Sequence, residues 1–398
     1  MFISRDLSAV LNRFKDFPVI AILGPRQSGK TTLAQNYFKE HAFLSLESPA
    51  LRLYANSDPE GFLKEHANSS GIIIDEFQYA PELLSYIQLI VDQHNRPSYF
   101  VLTGSQNFLV NQAVTQSLAG RVGILTLLPL SLHELQQGNL LGGGVLASNV
   151  AVKGFYPRLY SSVMNPSDFY ESYIHTYIEK DVRQLLQVGD LHTFQKFLAL
   201  CAGRIGQILN LSDLAMVCGI SEPTAKSWLS VLEASYIIFL LQPHFNNFNK
   251  RLIKRPKLYF YDTGLACNLL NLLSSAVLNQ SIFKGPLFEN LIIADLLKQF
   301  YNQGRRPSLY FWRDNNGRIE VDGLIDLGTK LVPIEVKASE TINMGFFDAM
   351  QQWNVISDTS PDSNYLIYAG EESQKRMAGQ ILSWKSIGQL LKKIASEI

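Results

Sequence analysis

The sequence has little of what marks disulfide-rich or membrane-spanning proteins. Cysteine is scarce, with only Cys201, Cys218 and Cys267 among 398 residues, and their spacing fits no metal-binding pattern. We therefore expect three reduced cysteines in the core of a cytoplasmic protein. The longest apolar runs, near residues 124–130 and 236–241, are the size of strands and too short to cross a bilayer. No signal sequence is recognisable at the N terminus, and we expect no membrane partner.

Neither sign of charge predominates in this chain. Thirty-five basic residues balance 35 acidic ones, so the formal net charge is zero. The totals therefore exclude a strongly basic protein, and any nucleic-acid surface must be a local patch. The chain is also longer than one hydrophobic core usually supports. We predict three domains, at residues 1–155, 156–275 and 276–398.

The first informative motif is a phosphate-binding loop. The apolar run Val19–Leu23 predicts a buried strand, Gly24–Thr31 has the pattern G-x-x-x-x-G-K-T, and Thr32–Glu40 can form a helix. In such a loop backbone N–H groups surround phosphate oxygens, Lys30 pairs with the β- and γ-phosphates, and the Thr31 hydroxyl holds Mg²⁺. A chance match in a strand-to-helix turn is the alternative. We expect ATP and Mg²⁺ at these residues: Gly24, Pro25, Arg26, Gln27, Ser28, Gly29, Lys30, Thr31 and Thr32.

Two later strands also end in polar residues. A run of three isoleucines ends on Asp75 and Glu76, which is the pattern of the second nucleotide-binding motif. Asp75 is expected to reach the magnesium shell and Glu76 to activate the attacking water. Another strand ends in Thr103 and Ser105, with Asn107 behind them, where polar groups can sense the γ-phosphate. An ordinary turn of Thr, Gly, Ser and Asn is the alternative for this last group.

The arrangement of these motifs predicts a fold. Four parallel strands with intervening helices and catalytic groups at their carboxyl ends describe an open α/β nucleotide-binding sheet. Arg121 directly precedes one of the strands. It is either an arginine finger that acts on a neighbouring subunit or a surface arginine in a salt bridge.

The middle of the chain predicts a helix-turn-helix. Ser212 is a candidate cap of one short helix, Gly219 ends that helix, and Ser221 caps a second. Tyr236–Gln242 and Lys257–Tyr261 follow as the strands of a wing.

The densest basic cluster of the chain, residues 249–257, lies between these two wing strands. It favours a winged helix that contacts phosphates of DNA or RNA. A protein-packing module with a solvated basic hairpin is the alternative, because Lys226 is the only basic residue of the second helix.

The last third contains a second group of charged residues. Glu289 lies on an amphipathic helix, Asp322 lies on a strand, and Glu335 and Lys337 share one face of the next strand. This is the D…(D/E)xK pattern of restriction-type nucleases. Glu289, Asp322 and Glu335 are candidate ligands of a second divalent metal, and Lys337 is placed to stabilise charge on phosphate. The fold does not by itself establish activity. The predicted strands are Leu309–Arg313, Ile319–Asp326 and Leu331–Ser339.

Taken together, the motifs resemble bacterial and archaeal AAA-type ATPases joined to a long-uncharacterised C-terminal domain. The ATPase resemblance rests on Gly24–Leu33, Asp75–Leu84, Leu102–Asn107 and Ser117–Arg121. The C-terminal resemblance rests on Tyr173–Arg183, Gly206–Asn210, Leu258–Gly264 and Gly285–Asn290. The chain departs from the common pattern at Lys180, where arginine is frequent, and at Gly323, which interrupts an apolar strand.

This resemblance implies an α/β P-loop AAA-type sheet, an α-rich winged-helix module and an α/β restriction-endonuclease-like domain. It also implies a homo-oligomer, with a hexamer as the expected form. Two functions stay open. One is Mg²⁺-dependent ATP hydrolysis coupled to binding, remodelling or cleavage of duplex or branched DNA. The other is a nucleotide-switched signalling or scaffold protein whose C-terminal domains bind other proteins.

Overall fold

A computed structural model describes residues 3–105, 117–178, 191–244, 255–314 and 316–396. Within these ranges the strands form a five-stranded, a six-stranded and a two-stranded sheet. The α/β class predicted from the sequence is confirmed. Several predicted features lie outside the described residues: Asn107, Lys180 and the basic segment 249–254.

The five-stranded sheet is parallel throughout and has the order β2-β3-β4-β1-β5. The count of four parallel strands is one too few, because the short run Ala42–Leu46, which the sequence also predicts as a strand, joins the sheet as β2. Alternate residues of β1 enter the cores on opposite faces, since Ala21 and Leu23 pack on one side and Ile20 and Ile22 on the other. Burial on both faces explains why the strand is a continuous apolar run. The strands are β1 Val19–Gly24, β2 Ala42–Ser45, β3 Ile72–Asp75, β4 Phe100–Ser105 and β5 Val122–Thr126.

Helices accompany these strands along the chain. The first is amphipathic and buries Leu7, Val10 and Leu11, as its sequence period predicts. The helices of this part are α1 Leu7–Phe14, α2 Lys30–Tyr37, α3 Pro49–Ser57, α4 Pro59–His66 and α5 Leu83–Gln93.

The middle of the chain is mostly helical. Its helices are α6 Leu132–Gln137, α7 Ala147–Lys153, α8 Arg158–Ser161, α9 Pro166–Tyr173, α10 Leu191–Ala202, α11 Leu211–Cys218, α12 Glu222–Ala234, α13 Thr263–Leu269 and α14 Ser275–Gln280. An antiparallel pair, β6 Ile238–Leu241 and β7 Lys257–Phe260, forms the two-stranded sheet. The α11–α12 pair and the two strands therefore occur where the sequence predicts them.

One predicted helix cap is wrong. The side chain of Asn210, not that of Ser212, caps α11 by accepting a hydrogen bond from the Asp213 N–H. Gly219 ends the helix in the left-handed region at φ 82°, and Ser221 caps α12, as predicted. All three cysteines are buried and none forms a disulfide, in agreement with the predicted core cysteines.

The six-stranded sheet has the order β12-β13-β11-β10-β9-β8. Strands β8, β9 and β10 are antiparallel neighbours, and β10, β11 and β13 run parallel. The predicted helix and three strands are present in the predicted order. The elements are α15 Lys284–Asn302, β8 Leu309–Arg313, β9 Glu320–Asp326, β10 Leu331–Lys337, α16 Asp348–Ser357, β11 Tyr365–Tyr368, β12 Gln374–Arg376, β13 Gly379–Ser383 and α17 Leu390–Ser396.

Gly323 on β9 has a packing role. A Cβ at this position would lie 3.1 Å from Cδ1 of Ile293 on α15, closer than most side-chain contacts. The glycine therefore allows α15 to lie tightly on the sheet. Its position in an otherwise apolar strand follows from this close approach.

The largest hydrophobic core crosses the predicted domain boundaries. Leu128, Tyr156, Phe260, Leu287 and Trp384 all belong to one cluster of buried side chains. The end of the first predicted domain thus packs with the two later ones. In the described part of the chain no helix combines the length and apolarity needed to cross a bilayer.

Candidate functional site

The phosphate-binding loop joins β1 to α2. Its backbone is left-handed at Gly24 and Gly29, with φ 155° and 94°, and a Cβ on Gly24 would lie 2.1 Å from the Leu127 carbonyl oxygen. These positions therefore require glycine. Helix α2 begins at Lys30 without a side-chain cap, so its first N–H groups face the loop. Such a helix start favours an anion.

Lys30 lies at the mouth of this loop and is only 5% exposed. Its Nζ donates to the carbonyl oxygens of Gly24 at 3.0 Å and Pro25 at 2.8 Å. Burial lowers the pKa of Lys30 to about 8, although the charges of Glu76 and Asp75 act in the opposite direction. The ammonium is thus held by neutral carbonyls, and an added phosphate would supply the missing negative charge.

Asp75, the last residue of β3, contacts side chains from the neighbouring strands β2 and β4 and from the start of α2. Its carboxylate accepts hydrogen bonds from the hydroxyls of Thr31 at 2.8 Å, Ser45 at 3.5 Å and Thr103. The structure therefore brings together Thr31, Asp75 and Thr103, which the sequence selected from separate motifs. A threonine hydroxyl beside a carboxylate, next to a phosphate loop, fits a Mg²⁺ that also binds phosphate oxygens. Ser45 was missed, because it ends an edge strand without a motif.

Glu76 stands beside this group in a strained backbone conformation. Its φ of 53° is unusual for a residue other than glycine. The side-chain amide of Gln78 donates to the Glu76 carboxylate and, at 3.1 Å, to Oγ of Ser105. Gln78 therefore joins the candidate base to the end of β4. It was missed, although a polar residue two positions after a catalytic acid is a usable signal.

Arg5 supports the loop from behind and was also missed. Its guanidinium donates to the carbonyl oxygens of Ser28 and Leu128, each at 2.6 Å, and to Glu134 at 3.0 Å. Arg5 and Glu134 are both fully or nearly buried. This pair ties the phosphate loop to the start of α6.

The loop also contacts the middle of the chain. The Tyr173 hydroxyl lies 3.5 Å from the Arg26 carbonyl oxygen and 2.9 Å from the Tyr156 hydroxyl. The guanidinium carbon of Arg26 lies 5.3 Å from the centre of the Tyr177 ring. Part of the loop is thus covered by residues outside the five-stranded sheet.

Arg121 lies away from the phosphate loop of its own chain. It precedes β5, and Val122 pairs with Val19 at the start of β1, whereas the loop follows the end of β1. The guanidinium of Arg121 makes two contacts with Asp92, at 2.5 and 3.0 Å. Arg121 therefore cannot act on this chain's own phosphate loop, which leaves only the role in a neighbouring subunit or the salt bridge.

The charged residues of the last third come together at the facing ends of α15, β9 and β10. Lys337 pairs with Glu335 on one face of β10, as the strand period predicts. Asp322 accepts a hydrogen bond from the Val336 N–H at 3.0 Å. Glu289 receives a hydrogen bond from the Tyr259 hydroxyl.

Lys257, the first residue of β7, is the unexpected member of this group. The sequence assigned it to a phosphate-binding basic cluster, and this assignment is wrong, because Lys257 is only 1% exposed. Its Nζ lies 3.3 Å from Glu289, 2.5 Å from Glu320 and 3.9 Å from Asp322. Burial alone lowers the pKa of Lys257, but the surrounding acidic groups outweigh burial and raise it well above its usual value.

The acidic residues here do not form a metal site like the one predicted. Burial, followed by the charge of Asp322, raises the pKa of Glu289 to about 7 and that of Glu335 to about 8. Among the residues that the structure describes, no group of three or more His, Cys, Asp or Glu side chains is arranged to hold a metal ion. The predicted second divalent metal at Glu289, Asp322 and Glu335 thus gains no support.

Comparison with protein families divides the chain into three segments. Residues 16–136 match the family described as AAA domain. This segment contains the phosphate loop and all strands of the five-stranded sheet. Residues 146–276 match a domain of unknown function, DUF8612, and residues 284–387 match another, DUF4143.

Two curated relatives are similar along nearly the whole chain. They are uncharacterized proteins of Mycobacterium bovis, Mb2031c, and Mycobacterium tuberculosis, Rv2008c. Each is 27% identical over 401 aligned positions, which cover 97% of this chain and 86% of the relative.

Similar solved structures include the Walker-type ATPase PABY2304 of Pyrococcus abyssi, at 16% identity and a TM-score of 0.43. That match covers 68% of this chain and 96% of the other. The RuvB Holliday junction branch migration motor of Thermotoga maritima is 17% identical, with a TM-score of 0.30. It covers 59% of this chain and 85% of the other.

Proposed function

We propose that this protein hydrolyses ATP in the presence of Mg²⁺, at the site formed by the ends of β1, β3 and β4. The observation that carries the proposal is the convergence of Lys30, Thr31, Asp75 and Thr103, with Glu76 beside them. Three separate sequence motifs supply these groups. Their meeting at one edge of a parallel sheet is what nucleotide hydrolysis requires.

Each residue has a defined task in this proposal. The loop N–H groups and Lys30 bind the β- and γ-phosphates, and Thr31 and Asp75 hold Mg²⁺. Bound Mg²⁺ neutralises charge on the phosphate oxygens. The Glu76 carboxylate accepts a proton from the attacking water, while Thr103 and Ser105 orient the groups around it.

The test is phosphate release by wild type, Lys30→Ala and Glu76→Gln, with Glu82→Gln as a matched control at an exposed acidic residue outside the site. Lys30→Ala is expected to lose ATP binding. Glu76→Gln is expected to bind ATP and lose turnover, and Glu82→Gln to behave as wild type. Unchanged turnover in both Lys30→Ala and Glu76→Gln would refute the proposal.

For the partner we propose duplex or branched DNA, bound by the middle of the chain. The α11–α12 pair with its turn at Gly219 and the following two strands supports a winged helix. In the sequence, the stretch that connects those two strands carries Lys250, Arg251, Lys254 and Arg255. Lys257 is not available for this task, because it is buried among carboxylates.

DNA binding is tested with fluorescent duplex and four-way junction across a salt series. Phosphate contacts strengthen as salt falls, so the affinity must rise steeply at low salt. No binding at low salt would remove DNA as the partner. DNA cleavage is not expected, because Lys257 and Lys337 pair with the carboxylates on which a nuclease metal would depend.

A protein partner is the second candidate. The observation that favours it is the weakly basic α12, in which Lys226 is the only lysine and no arginine occurs. In this alternative the nucleotide state of the ATPase domain controls binding of another protein. ATPase rates with and without DNA discriminate the two: stimulation favours DNA, and indifference favours a protein partner.

We further propose a homo-oligomer, with a hexamer as the expected form, in which Arg121 acts on the ATP of a neighbouring subunit. Arg121 lies at the end of the sheet opposite the phosphate loop. This position favours action on the ATP of a neighbouring subunit over action on the ATP of its own chain. Mixing Arg121→Ala with Glu76→Gln chains tests it. The mixture regains turnover if a Glu76→Gln subunit supplies its arginine to an Arg121→Ala site. A mixture as inactive as its components contradicts the proposal.

A further inference from the structure

Lys257 is the buried centre of a group of four acidic side chains that we call the carboxylate cluster: Glu289, Glu320, Asp322 and Glu335. Glu335 is buried, and the other three are partly exposed. The Nζ of Lys257 lies within 4 Å of the first three, which come from α15 and β9. It therefore stands at a point that is surrounded by acidic oxygens from two elements. A divalent cation prefers such a point, because carboxylate oxygens are its usual ligands.

Backbone contacts on two sides hold Lys257 in place. Lys257 begins β7, where it pairs with Leu241 of β6, and it also forms a backbone bridge to Ile208. Its ammonium lies 5.5 Å from the centre of the Phe311 ring. The backbone is thus held on both sides, and the ammonium is fixed among the carboxylates.

Two further cations lower the net negative charge of the cluster. Arg313 lies 3.2 Å from the second oxygen of Glu320, and Lys337 pairs with Glu335. Three cations thus face four carboxylates. A buried carboxylate is costly unless it is paired and hydrogen-bonded, and here every carboxylate has at least one partner. Most of the negative charge of the cluster is thus balanced before any metal arrives.

We propose that Lys257 is the resident cation of the carboxylate cluster and that it excludes a divalent metal from this position. The cluster joins β7 of the middle region to α15 and β9. Its function in this state is to hold those elements together. A divalent metal can enter only when Lys257 is removed or β7 leaves the cluster.

The test is Mn²⁺ binding to the full-length, nucleotide-free protein, followed by the electron paramagnetic resonance signal of free Mn²⁺. Wild type, Lys257→Met and Lys257→Met/Asp322→Asn are compared, so that any weak binding at the ATP site is common to all three. We expect about one additional Mn²⁺ per chain in Lys257→Met. The additional site should vanish in the double variant. Mn²⁺ should also raise the unfolding temperature of Lys257→Met by more than that of wild type.

Lys298→Met is the matched control. Lys298 is as buried as Lys257, but its Nζ donates to the Leu130 carbonyl oxygen and is not part of the carboxylate cluster. This variant should gain no Mn²⁺ site.

Two results would overturn the proposal. One is a Mn²⁺ site in wild type that disappears in Asp322→Asn, because the cluster would then hold metal with Lys257 in place. The other is a folded Lys257→Met that gains no Mn²⁺. If Lys257→Met does not fold, the comparison of wild type with Asp322→Asn still decides whether the native cluster holds a metal.

Discussion

The phosphate loop and the carboxylate cluster each contain a buried lysine beside acidic strand residues, but the two lysines are in opposite electrostatic states. Lys30 donates to neutral carbonyls, and burial lowers its pKa to about 8. Burial lowers the pKa of Lys257, but Tyr259 and the surrounding carboxylates outweigh burial and raise it well above the usual value. The difference separates a site that needs an anionic ligand from one that already has its counter-charges.

This comparison also explains why a motif alone is a poor guide to metal binding. Asp75 keeps hydroxyl partners that a Mg²⁺–phosphate complex can replace. Asp322 and Glu289 instead share an ammonium that only a rearrangement can remove. Acidic residues at strand ends are common to both places. What differs is the cation that the rest of the fold supplies.

The largest effect on stability is expected from Lys257→Met. The substitution leaves the partly buried Glu289 and Asp322 without their cation, and loss of one partner from a fully buried pair typically costs about 3–5 kcal/mol. We expect a loss of about 3 kcal/mol of unfolding free energy, because Arg313 still faces Glu320. Urea unfolding of the nucleotide-free protein measures it. A loss of unfolding free energy no larger than that caused by substituting an exposed lysine would contradict the difference proposed between the two lysines.

The same lysine-to-methionine substitution at Lys30 should raise the unfolding free energy instead of lowering it. Lys30→Met removes a buried ammonium that donates to neutral carbonyl oxygens and whose pKa burial lowers, so the nucleotide-free protein should become more stable by up to about 3 kcal/mol at neutral pH. The variant should at the same time lose the stabilisation that ATP gives to wild type. Thermal unfolding with and without ATP and Mg²⁺ checks both. A destabilised nucleotide-free variant would show that Lys30 is already satisfied by the loop.

The difference in unfolding free energy between wild type and Lys30→Met should depend on pH. The pKa of Lys30 in the folded protein, about 8, lies below its unfolded value of 10.5. The charged Lys30 therefore destabilises folded wild type fully below about pH 8. This destabilisation disappears as the pH rises from about 8 to 10.5. Wild type should gain unfolding free energy relative to Lys30→Met over that window. A difference between the two proteins that does not change with pH would contradict the low pKa.

A smaller effect, on turnover, is expected from Gln78→Ala. Gln78 links Glu76 to Ser105, and the Glu76 backbone is strained. Without this amide we expect the carboxylate to be less well oriented and kcat to fall about tenfold, with ATP affinity unchanged. Steady-state kinetics separates kcat from KM. An equal loss of ATP affinity would instead indicate damage to the loop.

The smallest effect concerns Gly323→Ala. The new methyl group would press on Ile293 and shift α15, which carries Glu289, so we expect a loss of about 1 kcal/mol of unfolding free energy. Gly285→Ala on the same helix is the control, since a Cβ there meets no atom within 4 Å. Equal effects of the two substitutions would show that the close approach of α15 is unimportant.

The sequence predicts local features well. The phosphate loop, the strand ends at Asp75 and Thr103, and the α11–α12 pair all depend on neighbours along the chain, and they are present. The five-stranded sheet has one strand more than the count of four made from the sequence. In the six-stranded sheet, strands β11, β12 and β13 follow Ser339, beyond which no strand was predicted.

Contacts between distant parts of the chain were not predictable in this way. Arg5 and Glu134 are 129 positions apart, and neither belongs to a motif. Lys257 belongs to a basic stretch of sequence, so its composition indicates an exposed phosphate contact. Its burial depends on packing against α15 and β9, which no local pattern records.

The most direct test of the central claim is ATP binding and turnover in Glu76→Gln, measured beside wild type and Glu82→Gln. Fluorescent ATP reports binding, and phosphate release reports hydrolysis. The ATP site proposed here predicts wild-type affinity with turnover reduced at least about 100-fold in Glu76→Gln, because the proton acceptor is lost while the phosphate loop stays intact. Wild-type turnover in Glu76→Gln would contradict it.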